Sequence, residues 1–162
     1  MTTTKKAQNT AEKLLELRLQ EGSQFRPPLM VADRATMLLI SDHFVMPEFV
    51  PGREPELQMW MKSNHQRELT QRENQCVLAF LSDGPLMFNS ALPHGIPFAT
   101  HRMTSLDHSV WFHHPCETAQ WMLFDQRSIA AADGRGMNEG EIFDSQGRLV
   151  MICMQESMLK RM

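Results

Sequence analysis

The 162-residue chain has no tyrosine, only three cysteines and no marked excess of charge of either sign. Each shortage closes off a class of answer. Cys76, Cys116 and Cys153 are odd in number and form no CxxC pair. Neither a disulfide framework nor a cysteine zinc site is expected, and a reducing compartment is. A net charge of −3 is too mild to point to nucleic acid or a membrane surface. No apolar run is long enough to span a bilayer, so no membrane span is expected. The opening MTTTKKAQNT has no secretory hydrophobic core, and the closing LKRM is not an SKL-type address. Gly134–Arg135–Gly136 is a short turn without the spacing of a GxGxxG loop or a P-loop, so nothing supports phosphate cradling. His113 and His114 are adjacent and would point apart on a strand. No other ligand cluster has suitable spacing, so neither a metal nor a cofactor is expected.

What is present suits one globular domain with an appendage. Hydrophobic residues make up 42% of the chain, enough to bury a core. The 14 methionines suggest adaptable apolar surfaces and fix no function. Residues 1–44 read as an N-terminal helix and an irregular lead-in. Asn9 and Glu12 resemble a capping box, and Ala11, Leu14, Leu15 and Leu19 form a stripe that needs a partner surface. Pro27, Pro28, Pro47, Pro51 and Pro55 make residues 23–55 resemble a linker more than packed structure. Residues 45–162 read as the main domain. ELQMWMKS is a strand, and a helix is predicted over about 72–91. Strand-like runs follow at about 102–113, 120–131, 135–143 and 148–159, the last two joined through Ser145–Gln146–Gly147. One long helix with an antiparallel meander is an α+β pattern, with a sheet able to wrap the helix.

Three polar features stand out of pattern: Asp83, the segment SLDHSVWFHH and Gln155. Asp83 shares a helix face with Cys76, Phe80 and Met87, which recur at helical spacing. A carboxylate on an apolar face is either a satisfied structural group or a chemical one. Gly84 and Pro85 beside it are odd for a helix interior, and Pro85 is expected to kink it. In SLDHSVWFHH, strand alternation puts Ser105, Asp107, Ser109 and Trp111 on one face. Leu106, His108, Val110 and Phe112 take the other. The polar face is either the wet side of a sheet or the lining of a pocket. Gln155 lies on a strand that is apolar on both faces, so it reads as a buried amide, tied to backbone or serving a site. His94 and His101 read as surface or hydrogen-bonded structural histidines.

SLDHSVWFHHP, QWMLFDQ, a glycine-rich turn before GEIFDSQGRLV, and the closing MQES resemble the C-terminal half of the acyl-CoA thioesterase II family. LPHGIPF, residues 92–98, fits the segment that precedes them in that family. The resemblance covers roughly residues 45–162 and is strongest over 105–115 and 140–157. It implies a hotdog, a long helix wrapped by an antiparallel sheet, with the family's N-terminal hotdog missing. It also implies a triad that orients a hydrolytic water. The family Asp follows a Ser in the helix, here Ser82–Asp83; the hydroxyl residue stands two positions before Asp–His, here Ser105; the Gln precedes a Glu, here Gln155. The Gly usual after Gln–Glu is Ser157 here.

The implied substrate is a fatty acyl-CoA, hydrolysed to free acid and CoA. Arg102 and Arg135 are the candidates for binding CoA phosphates. The implied partner is a second copy of the chain or another hotdog. The implied location is intracellular, cytoplasmic or peroxisomal. The alternative is a catalytically weak or inactive half that binds acyl chains or a partner.

Overall fold

The computed structural model describes the backbone of residues 30–32 and 35–39 and, with side chains, residues 54–95 and 97–162. The proposed helix at 11–19 lies outside the described residues. Glu56–Ser63 forms β3, whose consecutive apolar residues Met59, Trp60 and Met61 are buried on both sides of the sheet. Met59 and Met61 face the main core, whereas Trp60 joins Leu123 and Phe143 on the opposite face of the sheet. Two short strands, β1 (Met30–Ala32) and β2 (Ala35–Leu39), form a hairpin that pairs antiparallel with β3. The expectation of an irregular linker over 23–55 therefore fails at 30–39. The prolines bracket these strands and do not interrupt them.

Helix α1 spans Gln71–Leu86. Thr70 starts it: its hydroxyl accepts from Glu73 N, and Glu73 Oε2 accepts from Thr70 N at 2.8 Å, a reciprocal capping box. Arg67 pairs with the same carboxylate at 2.5 Å. This hydrogen-bonded setting lowers the Glu73 pKa to about 2, Arg67 contributing most. Pro85 lies in the last turn, and the chain passes directly into a 3₁₀ helix over Met87–Ala91. The predicted helix over 72–91 is thus two geometries in series.

The buried stripe of α1 is Asn74, Leu78, Leu81, Ser82, Pro85 and Leu86. The face predicted from Cys76, Phe80 and Met87 is the wrong one: Cys76 is exposed and Phe80 is 73% exposed. Two polar residues, Asn74 and Ser82, sit in the true stripe because local bonds satisfy them. Asn74 Oδ1 accepts from Thr118 N and Oγ1, and Ser82 Oγ donates to Ala79 O. Hydrophobicity alone therefore misassigns the stripe.

Strands β4 (His101–Ser105), β5 (Ser109–Phe112), β6 (Met122–Ala132), β7 (Arg135–Phe143) and β8 (Leu149–Arg161) follow. All pairings are antiparallel, in the order β1-β2-β3-β6-β7-β8-β4, with β5 also on β8. Asp133 and Gly134, both at positive φ, make the β6–β7 turn, so Arg135 and Gly136 belong to β7 and not to a turn. Gly136 is required by close packing: a Cβ there would lie 2.2 Å from Ser90 Cβ. The 3₁₀ helix thus rests directly on β7. The core between helix and sheet includes Met59, Leu78, Leu81, Phe124, Ile142 and Met151. This is the single helix-in-sheet architecture expected.

Candidate active site

Asp83, Ser105 and Gln155 come from α1, the end of β4 and β8, and they meet. Ser105 Oγ donates to Asp83 Oδ1 at 2.9 Å. Gln155 Nε2 lies 2.5 Å from Asp83 Oδ1, 3.0 Å from Asp83 O and 3.0 Å from Ser105 Oγ. Two amide hydrogens thus face three acceptors, two of them on Asp83. Ser105 both accepts from the amide and donates to the carboxylate. Both protein donors fall on Oδ1, and among the described residues Oδ2 has no donor.

Burial differs across the cluster. Gln155 is fully buried, whereas Asp83 and Ser105 are partly open. Gln155 Oε1 is buried without a hydrogen-bond partner among the described residues. Gly84, next to Asp83, has no atom within 4 Å of where a Cβ would stand. The helix surface next to Asp83 is therefore open at Gly84. Its place in the last turn of α1 also opposes the helix dipole, at a cost of about 0.3–1 kcal/mol when charged. Helix stability does not explain this Asp; its two donors do.

His108 is the residue that sequence reasoning missed. Its Nε2 lies 3.3 Å from Ser82 Oγ, directly beside Asp83. The Ser82 proton has Ala79 O within 3.0 Å; with that proton given there, the imidazole would carry its hydrogen on Nε2 and donate. Burial lowers the His108 pKa and outweighs the opposing pull of Asp83 and Asp107. The predicted unbroken strand over 102–113 is in fact β4 and β5 with a break at 106–108, so the predicted two faces do not hold. Asp107 in mid-strand was the available signal, since Asp is a poor strand former.

The remaining candidates lie apart from the cluster. Arg135 is paired with Glu156 at 3.2 Å, and Arg102 is exposed on β4 opposite Lys160. His101 is buried and bonded to Thr100 Oγ1 at 2.8 Å, whereas His94 is exposed. Cys153 shares the buried face of β8 with Gln155, but burial pushes its thiol up to about 12. Burial is also the main cause that raises the Cys116 thiol to about 11. Neither is a ready nucleophile. Among the described residues no group of three or more His, Cys, Asp or Glu is placed to hold a metal, and no helix is long and apolar enough to cross a membrane.

Among the described residues, one α-helix packed on an antiparallel sheet, with a polar cluster between the helix, the end of β4 and the middle of β8, has the architecture of a hotdog protein. The solved structures agree on the fold. An acyl-CoA thioesterase II, TesB2, from Mycobacterium marinum superposes with a TM-score of 0.67 at 24% identity, over 86% of this chain and 58% of that one. A hot dog fold protein from Alicyclobacillus acidocaldarius gives 0.62 at 18% identity, over 86% and 55%. More specifically, the chain belongs to the family of acyl-CoA thioesterase C-terminal domains, whose model matches residues 22–159. It is 33% identical to human acyl-coenzyme A thioesterase 8 over 108 residues, 66% of this chain and 34% of that protein. It is 34% identical to acyl-CoA thioesterase 2 of Haemophilus influenzae over 103 residues, 62% and 36%. The chain thus spans about a third of the length of these curated relatives.

Proposed function

We propose that this chain hydrolyses fatty acyl-CoA thioesters to the free acid and CoA, with Asp83, Ser105 and Gln155 orienting the attacking water. The observation that carries the reading is the convergence of these three side chains, from three elements, into one hydrogen-bonded cluster. Family membership supplies the substrate class.

Water would lie against Asp83 Oδ2, the carboxylate oxygen not already held by Ser105 and Gln155. Its oxygen attacks the thioester carbon while one of its protons passes to the carboxylate. The C–S bond then breaks, its electron pair leaves on sulfur, and the proton held by Asp83 returns to the CoA thiolate. No acyl-enzyme forms, in keeping with the high thiol values of Cys116 and Cys153. Ser105 and Gln155 fix the carboxylate's rotamer, so little reorganisation remains at the moment of attack. Arg102 is the better candidate for CoA phosphates, because Arg135 is already engaged by Glu156.

A second reading has its own observation. Phe80, Trp111 and Leu106 are 73%, 49% and 50% exposed, large apolar side chains that a partner surface would cover. We infer that a second hotdog, most simply another copy of this chain, covers part of it. If the chain were a binding half only, that pairing would persist without turnover. Thiol release from acyl-CoAs across about C4 to C18 separates the two. Release that saturates with substrate supports the hydrolase. Its absence from a correctly assembled sample contradicts it.

A further inference from the structure

Nothing within α1, β4 or β8 alone sets the distances between Asp83, Ser105 and Gln155. The three residues that follow Ser105 touch both of the other elements. β4 and β5 pair with the same strand, β8, but their registers do not agree: Ser105 faces Ser157 and Ser109 faces Met154. Four steps on one side therefore oppose three on the other, so Leu106–Asp107–His108 contains one extra residue, a β-bulge. The bulge changes the phase of the strand. Val110, which strict alternation from Ser105 sets on the opposite face, instead packs on the main core. His108, in phase with Val110, turns toward α1.

The bulge is anchored at both ends of the site. On the β8 side, Leu106 N donates to Glu156 O at 2.9 Å. Asp107 Oδ1 accepts from Glu156 N at 2.7 Å, replacing a partner that the disturbed ladder does not supply. Both bonds land on the residue next to Gln155. On the helix side, His108 Nε2 shares a hydrogen bond at 3.3 Å with Ser82 Oγ, in the residue next to Asp83. The turn thus grips the immediate neighbour of each of the two residues that Ser105 must meet.

We propose that this bulge is a clamp that sets the geometry of the Asp83–Ser105–Gln155 cluster, with Asp107 and His108 as its positioning residues. The inference rests on the function proposed for that cluster. Asp107 acts as a hydrogen-bond acceptor and His108 as a donor; neither exchanges a proton with substrate. An amide can replace each of them: Gln carries an N–H where the imidazole Nε2–H stands, and Asn keeps the Oδ1 acceptor.

The test compares kcat and KM for thiol release by His108→Ala, His108→Gln, Asp107→Ala and Asp107→Asn, with Asp83→Asn as reference. A displacement of about 1 Å at a reacting group costs on the order of 100-fold. Each Ala variant is expected to lose about 10- to 100-fold in kcat with KM within about twofold. His108→Gln and Asp107→Asn are expected to stay within about threefold of wild type. Crystal structures of the two Ala variants should show Ser105 Oγ and Asp83 Oδ1 more than about 3.5 Å apart.

Three results would overturn the clamp. One is wild-type kcat in the Ala variants while Asp83→Asn is inactive. Another is His108→Gln falling as far as His108→Ala, which would make the ring a proton-transfer group. The third is an undisturbed cluster in the Ala structures. If Asp83→Asn itself keeps full activity, the catalytic reading fails instead; the crystallographic distances then still decide whether the bulge sets the cluster.

Discussion

Ser105 and Gln155 touch Asp83 rather than replace it, so their loss should show in the chemical step. Ser105→Ala and Gln155→Ala are each expected to lower kcat more than they raise KM, measured by steady-state thiol release. A change in KM alone would make that residue a binding or structural group. Asp83 and Gln155 were legible in the sequence as polar residues out of pattern, Ser105 only as one of three on a polar strand face, and the resemblance singled it out. The reason first offered for Asp83 was nonetheless incorrect: the face it shares with Cys76 and Phe80 is the outer one. His108 was missed, because strand alternation carries no mark of one inserted residue and Asp107 in mid-strand was the only hint of a break.

At the scale of the element, α1 is held by a capping box at its start and weakened near its end by Gly84 and Pro85. Thr70→Ala is expected to destabilise the fold by about 1 kcal/mol, read as a shift in urea midpoint. Gly84→Ala meets no atom within 4 Å and replaces a flexible helical residue. It should stabilise by about 0.5–1 kcal/mol in the same measurement. A loss of activity without a loss of stability would then mean that substrate uses the space beside Asp83. The regular strands were legible from their apolar runs and turns. β1 and β2 were not, because prolines at 27, 28, 47 and 51 dominate the reading of short strands between them.

For the whole molecule, two partly desolvated histidines give stability a pH dependence. Burial lowers the pKa of His101 and His108 from the ordinary 6.5. The unfolded chain therefore takes up protons below that value before the folded one does, and the difference favours unfolding. Stability should be full above about pH 6.5 and decline as pH falls through the folded values. The urea midpoint should be lower at about pH 5 than at about pH 7.5, and His108→Gln should reduce the difference; equal midpoints would contradict it. The exposed Phe80 and Trp111 call for a partner surface, so light scattering after size exclusion is expected to give a dimer or larger at micromolar concentration. A well-behaved monomer would reject self-pairing.

The central claim is that the cluster centred on Asp83 hydrolyses acyl-CoA, and Asp83→Asn tests it most directly. Asn keeps the shape and an oxygen able to accept from Ser105 and Gln155, but it cannot take a proton from water. The measurement is single-turnover thiol release by wild type and Asp83→Asn, matched in concentration, assembly state and thermal midpoint. The account predicts a rate lower by about 10²–10⁴ in the variant. A variant that releases CoA at close to the wild-type rate would contradict it.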